Sequence, residues 1–328
     1  MRIPYPQLKA EFKRVLTSLD INDAVADACA AVFADNSRDG VYSHGLNRFA
    51  VFVEYIREKL VIPHALPALV SSFGAVEQWD GNMGPGMLNA QFCMGRAIDI
   101  AKNNGIGCVA IKNTNHWMRG GTYGLQAAEA GYIGICFTNT IANLPPWGGT
   151  EPRLGNNPLV IAVPRQGGHV VLDMAMTQYS FGKLWQYEAQ GKELPVPGGY
   201  NKEGELTTDA AALTESKRPL PIGFWKGSGL SLVLDLMATV LSGGDSTPVI
   251  TQSGRKETGV SQVFIAIKTD NERNAALIEE IISYTKSNSE GNEILFPGEN
   301  MLRTREQSLK DGVWIDEEIW EKVKALEK

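Results

Sequence analysis

The sequence predicts an α/β protein of the α+β kind: an α-helical domain built from both chain ends, packed against a mixed-sheet domain that is not of the Rossmann type. Three observations predict this. Apolar residues recur at helical spacing through the first 60 residues and again after about residue 270. From about residue 70 the texture changes to short β-like runs alternating with helices. And the one glycine pattern that matches a dinucleotide fingerprint on paper, GIGCVA at residues 105 to 110, stands after a helix and before a strand, the reverse of what that fingerprint needs. The expected division is residues 1–72 with 270–328 for the helical domain and 73–269 for the sheet domain. A length of 328 residues is enough for roughly two domains.

The helical end begins with YPQLKAEFKRVLTSL, then INDAVADACAAVFADNSRDG, which runs to a terminating Gly40, then LNRFAVFVEYIREKL. Pro63 and Pro67 break the pattern. LVSSFGAVEQWD reads as β-structure, MLNAQFCMGRAIDIAKNN as a helix and GIGCVAIKN as a strand, with Gly105 as a left-handed helix terminator. GLQAAEAG is a short helix, and GYIGICFTN, PLVIAVP and HVVLDMAM are buried strands. The Gly- and Pro-containing polar stretch from about residue 186 to 222 reads as a surface excursion. GLSLVLDLMATVLS is a strong helix, VSQVFIAIK a strong strand, and the remainder returns to helices.

A hydrophobic share of 43%, a charged share of 21% and a net charge of -6 describe an ordinary globular chain without a basic stripe, so no nucleic-acid partner is expected. No segment is apolar enough to span a bilayer, and the N-terminus lacks a signal-peptide pattern. Four scattered cysteines form neither a disulfide framework nor a zinc motif. The expectation is a cytoplasmic protein without a metal, whose partner is a small molecule.

Candidate site residues cluster in a few stretches. GVYSHGLNRF (residues 40 to 49) sets His44 between Ser43 and Gly45 where a helix begins. Ser43 reads as the N-cap, and Gly45 as keeping the backbone open to a ligand. If the helix starts there, His44 and Arg48 share a face. The plainer alternative makes them a helix-end residue and a solvated charge. NTNHWMRGGTYG (residues 113 to 124) offers His116 and Arg119 at the carboxyl end of a strand, where α/β proteins bind ligands. WKGSG (residues 225 to 229) leads into a long helix, so Lys226 and free N–H groups could receive an anion; an ordinary cap by Ser228 explains the same residues. PPWGG fixes a rigid turn, and LFPGEN reads as a turn that could bring Gly298, Glu299 and Asn300 near a ligand. His64 reads as a surface residue and His169 as structural.

Taken together and in order, GVYSHGLNRF, NHWMRGGTYG, PPWGG, LGNNPL and WKGSGLSLVLDL resemble the malate/L-lactate dehydrogenase family that lacks a Rossmann fold, over the whole chain. The resemblance implies a homodimer that uses NADH, in preference to NADPH, to reduce a 2-oxo acid, with the sheet domain as the NAD-binding one. It places the family's proton-donating histidine on His44. It places cofactor contacts on His169, Val170, Val171, Leu172, Asp173, Met174 and Ala175, on Trp225 and Lys226, and on Gly298, Glu299 and Asn300. In that reading His44 works near its ordinary pKa of about 6.5, Arg48 clamps the substrate carboxylate as a bidentate fork, and His116 polarises the carbonyl. A sugar acid, malate, lactate and ureidoglycolate remain as substrates, and a non-catalytic sugar-acid-binding protein is the rival of another class.

Overall fold

The structure is a computed structural model that describes residues 1–269, 271–287 and 291–326. In chain order, strand β1 (Arg2–Ile3) precedes helices α1 (Tyr5–Thr17) and α2 (Asp23–Arg38), a 3-10 turn over Tyr42–His44, and α3 (Leu46–Arg57). Next come β2 (Ala68–Phe73), β3 (Val76–Asp80), α4 (Gly86–Asn104), β4 (Ile106–Asn115), α5 (Gly121–Glu129), β5 (Tyr132–Thr138), β6 (Leu159–Val163) and β7 (Val170–Met174). Then follow α6 (Phe181–Ala189), β8 (Gly199–Tyr200), β9 (Leu206–Thr207), α7 (Ala210–Ser216), α8 (Trp225–Ser242), α9 (Thr247–Gln252) and β10 (Thr258–Lys268). The chain closes with α10 (Asn271–Lys286), α11 (Glu299–Asp311), β11 (Val313–Trp314) and α12 (Glu317–Lys324).

Seven strands form one mixed sheet in the order β2-β3-β4-β10-β5-β6-β7. Only β3 and β4 pair in parallel; every other neighbour pair is antiparallel. This is the non-Rossmann mixed sheet that the sequence predicts. β10 fills the gap between β4 and β5, and its apolar character follows from burial on both faces. The alternation of strand residues divides the packing. Val109, Ile111, Cys136 and Phe264 face α4 and α5, whereas Ala110, Phe137 and Val263 face α8. Gly105 closes α4 at φ 77°, the left-handed terminator expected of it.

One hydrophobic core is built from both chain ends. Phe12, Phe33 and Phe49 form an aromatic trio with centroids 4.4–5.9 Å apart, and Val313, Ile315, Trp320 and Val323 complete the cluster. The division expected between residues 72 and 73 falls inside β2, which belongs to the sheet. The stretch expected to be a surface excursion holds α6, β8, β9 and α7 around a small core of Leu184, Leu194, Ala210 and Leu213. Apolar residues spaced that far apart in a polar stretch give no periodic signal.

Candidate active site

A cavity of about 420 Å³ opens where the 3-10 turn, the loops after β4 and β5, strand β7, the start of β10 and the segment before α11 converge. Its wall includes His44 and His116, whose rings stack with centroids 5.5 Å apart and planes 8° from parallel.

Each ring is held from behind. Asn36 Nδ2 donates to the His44 carbonyl at 2.9 Å, fixing the 3-10 turn, and Ser43 Oγ lies 3.0 Å from His44 Nδ1. The Met118 N–H donates to His116 Nδ1 at 3.1 Å, which leaves the proton of the neutral ring on Nε2. Burial, the neighbouring His116 and the Arg48 charge push His44 down from 6.5 to about 3, against a small opposing pull from Glu257. Burial and Arg48 likewise hold His116 well below its ordinary value. Both rings are therefore neutral at physiological pH, which corrects the expectation that His44 works near 6.5.

The local geometry corrects three further expectations around His44. Ser43 does not cap α3; the Leu46 N–H is received instead by Ser37 Oγ, at 2.9 Å, from α2. Gly45 does not hold the backbone open to a ligand. A Cβ there would lie 2.3 Å from Ser37 Oγ and 2.8 Å from Ser37 N, so glycine allows the close approach of the turn to α2. And His44 and Arg48 do not share a helix, because Gly45 (φ -112°, ψ -121°) separates the 3-10 turn from α3. Arg48 is absent from the cavity wall, and its guanidinium is ion-paired with Glu257, which does line the cavity.

The strand period sorts the run from His169 to Ala175. Val171, Asp173 and Ala175 line the cavity, whereas Val170, Leu172 and Met174 point to the other face of the sheet. His169 lies in a separate cleft of about 630 Å³, which holds neither His44 nor His116 and so is not the reacting centre. Asp173 Oδ2 accepts the Gly121 N–H at 2.8 Å; burial raises the pKa of its carboxyl although Arg119 and that N–H pull it down. Gly298 and Asn300 line the cavity, while Glu299 turns away to Lys286 and to the Phe296 N–H.

WKGSG is not a loop that leads into a helix. α8 begins at Trp225 with Phe224 (φ 60°) as its N-cap, and Ser228 accepts the Trp147 N–H rather than capping. Gly227 is required because a Cβ would meet the Ile222 carbonyl at 2.4 Å; Gly229 has open space around it. Trp225 and Lys226 are exposed and are not on the cavity wall. They follow Ile222, whose N–H bonds the Met176 carbonyl just past β7. His64 is exposed, and His169 Nδ1 accepts the Arg165 N–H, a structural bond.

Several cavity residues escaped the sequence reading: Glu257, Gln262, Thr138, Thr140 and Asn156. Gln262 had a signal, a long polar side chain within the apolar strand VSQVFIAIK. Its Nε2 donates to the Asn115 carbonyl at 3.0 Å, but its buried Oε1 has no partner. A buried acceptor without a donor is satisfied by a ligand N–H. This acceptor makes the wall fit a group that bears a carboxamide. Among the described residues no group of His, Cys, Asp and Glu could hold a metal ion, and no helix is long and apolar enough to cross a membrane.

Known proteins resemble this chain over nearly its whole length. The model of the malate/L-lactate dehydrogenase family matches residues 3–324. The chain is 45% identical over 333 residues to a 2,3-diketo-L-gulonate reductase of Citrobacter koseri, covering 99% of this chain and 100% of that one. Among solved structures, malate dehydrogenase from Pyrococcus horikoshii superposes with a TM-score of 0.89 at 30% identity, covering 99% of this chain and 94% of that one. Sulfolactate dehydrogenase from Methanocaldococcus jannaschii gives 0.91 at 29%, covering 99% and 96%.

Proposed function

Because this chain belongs to the malate/L-lactate dehydrogenase family, and is thus an oxidoreductase acting between CH–OH and 2-oxo groups, we propose that it reduces 2,3-diketo-L-gulonate at C2 to 3-dehydro-L-gulonate with NADH. Full-length similarity to reductases of that name supports the substrate. The observation that carries the chemistry is the stacked pair of neutral imidazoles, His44 and His116, on a cavity that also holds the unpartnered Gln262 Oε1.

When bound, the nicotinamide supplies the hydride that goes to C2. Val171, Asp173, Ala175, Gly298 and Asn300 hold the cofactor in this reading, and Gln262 receives its carboxamide N–H. His116 donates Nε2–H to the 2-oxo oxygen and polarises it. His44, which takes up a proton from solvent when the anionic substrate settles beside it, delivers that proton to the oxygen as the alkoxide forms and returns to neutral. Arg48 receives the substrate carboxylate by exchanging it for Glu257. Trp225 and Lys226, both exposed, would meet the outer part of the cofactor in this reading. Hydride and proton together turn the ketone into the secondary alcohol and leave oxidised cofactor.

The enzyme is proposed to be a cytoplasmic homodimer. Leu232, Val233, Leu236, Met237 and Val240 form an exposed apolar stripe along α8 that a second copy would cover. The chemistry is tested by following NADH oxidation with 2,3-diketo-L-gulonate, oxaloacetate and pyruvate. The highest kcat/KM is expected for 2,3-diketo-L-gulonate. A higher value for oxaloacetate moves the substrate to malate, and no oxidation with any acid defeats the reading.

A further inference from the structure

A second cavity, of about 400 Å³, lies behind the site where α2, α4, α5 and α11 meet. That volume falls within the roughly 300–1,000 Å³ of small-molecule sites. Thr122, Gln126 and Glu129 of α5 line it at spacings of three and four residues, which puts them on one helix face. Across from them stand Arg38 and Asp39 of α2 and Arg305 of α11.

This cavity shares a wall with the active site. Arg119 lines both, bound to Asp39 at 3.0 Å on one side and 3.8 Å from Asp173 on the other. Asn36 lines it too. Its amide holds the His44 carbonyl, and Thr122 Oγ1 donates to its Oδ1 at 3.2 Å.

The polar groups here are only partly used. Arg305 grips Asp39 through Nε and Nη2, and Arg38 reaches Asp39 and Asp35 through Nε and Nη1. Among the described residues, neither Arg305 Nη1 nor Arg38 Nη2 has a hydrogen-bond acceptor. Arg38, Arg119 and Arg305 carry one charge more than Asp35 and Asp39, and Glu129 is exposed at the rim, where water screens it. The inner end therefore favours an anion. Gln126 Nε2 is bound to the Gln91 carbonyl at 3.0 Å, but Gln126 Oε1 is buried without a donor. A buried acceptor calls for a ligand O–H or N–H. A carboxylate for the guanidinium N–H groups and a hydroxyl for Oε1 together describe a hydroxy acid, the class of product a 2-oxo-acid reductase releases.

We infer that this rear cavity is a regulatory site for a small hydroxy acid, and that its occupancy slows turnover. The carboxylate pairs with Arg38 and Arg305, and a hydroxyl donates to Gln126 Oε1. Binding draws on the arginines that hold Asp39, and through Asp39 it shifts Arg119 against Asp173. The binding stands without the reductase reading; only the effect on turnover rests on it.

Calorimetry with L-gulonate tests the site in enzyme saturated with NADH and oxamate, so that the active-site cavity is filled. One site per chain is expected. Sorbitol, which lacks the carboxylate, should bind about tenfold more weakly or worse, and acetate, which lacks the hydroxyls, severalfold more weakly. The Gln91 side chain lines the cavity and makes no hydrogen bond among the described residues. Gln91→Trp fills the space and should abolish L-gulonate binding with basal kcat and NADH affinity unchanged. Gln126→Leu should weaken it severalfold. In NADH-oxidation assays L-gulonate should lower wild-type kcat severalfold, a loss that excess 2-oxo acid does not relieve and that Gln91→Trp does not show. No heat from the saturated wild type, or equal binding in Gln91→Trp, overturns the site. Binding that leaves kcat unchanged overturns its regulatory role. A protein that oxidises no NADH yet binds L-gulonate in a Gln91→Trp-sensitive way overturns the reductase reading alone.

Discussion

His44 and His116 stack nearly parallel, 5.5 Å between centroids, with both rings facing one cavity and neither carrying a charge. Two imidazolium ions at that distance would repel, so the pair accepts at most one proton at a time. The Met118 N–H commits His116 to a donor at Nε2. This is why the proposed mechanism has His116 give a hydrogen bond and His44 give the proton.

His44→Asn preserves size and hydrogen bonding but cannot release a proton near neutral pH. It is expected to lower kcat by about 10²–10⁴-fold, the usual worth of a general acid, with NADH affinity unchanged. Steady-state assays at saturating NADH and substrate, with a fluorescence titration of NADH, check it. A variant that keeps most of its kcat assigns the proton to His116.

A proton donor held neutral must be charged by what binds. An anionic substrate adds a negative charge beside His44 and raises its pKa again. Calorimetric titration of the NADH-bound enzyme with oxamate, repeated in buffers of different ionisation enthalpy, should show uptake of up to about one proton per site. No uptake would mean that the proton is already in place before the acid arrives. The same shift governs stability. Above pH 6.5 both folded and unfolded histidines are neutral and His44 contributes nothing; between 6.5 and about 3 the unfolded chain binds more protons, so stability falls as pH falls. The loss steepens by up to about 1.4 kcal/mol per pH unit for this one residue, and urea midpoints for His44→Asn should lose that part of the slope.

In the proposed mechanism the Arg48–Glu257 ion pair sets the affinity for the acid. An incoming carboxylate must replace Glu257 at the guanidinium, and Glu257 also presents its own charge to the cavity. Glu257→Gln should therefore lower KM for the 2-oxo acid severalfold and leave KM for NADH unchanged. Arg48→Lys should raise the acid's KM, since the charge stays but the fork is lost. An increased KM in Glu257→Gln would make Glu257 the residue that aims Arg48.

Much of the site was legible where chemistry and chain position coincide. His44 and His116 stand out because the chain has only four histidines and both sit at element boundaries. The mixed sheet could be read from β-runs without a dinucleotide fingerprint. What escaped depends on contacts distant in sequence. β10 pairs between β4 and β5, which brings Glu257 and Gln262 to His44 from more than 200 residues away, and nothing local marks that. Ser37 took the capping role assigned to Ser43 because Gly45 lets the turn press onto α2. Gly45, which reads as an opening for a ligand, is a site of close backbone packing, as is Gly227. A glycine's spacing in sequence does not distinguish the two uses.

The α8 stripe leads to a prediction about assembly. Five exposed apolar side chains on one helix are costly to leave in water. Sedimentation at micromolar concentration should give twice the 35.7 kDa chain mass, and Leu236→Glu should shift it toward the monomer with little change in helicity. A wild-type protein that sediments as an active monomer removes α8 as an interface.

Asp39 joins the two ends of the chain beneath the site. Its side chain is 3% exposed and accepts from Arg38 at 2.9 Å, Arg119 at 3.0 Å and Arg305 at 2.6 and 2.8 Å. Burial alone would raise its carboxyl, but Arg305 and Arg38 outweigh that and hold it below the usual range. Arg119 belongs to the cavity wall, where its Nε also lies 3.8 Å from Asp173. Removing the Asp39 charge thus leaves buried Arg119 with only the longer contact to Asp173 and the Met301 sulfur, a loss of about 3–5 kcal/mol for a broken buried pair. Asp39→Asn should lower the urea midpoint accordingly. Because Arg119 is then free to turn toward Asp173, KM for NADH should also rise, while kcat falls less than in His44→Asn. A variant with unchanged stability would show that Arg38, Arg119 and Arg305 are solvated without Asp39, and that the two chain ends are held together by the aromatic core alone.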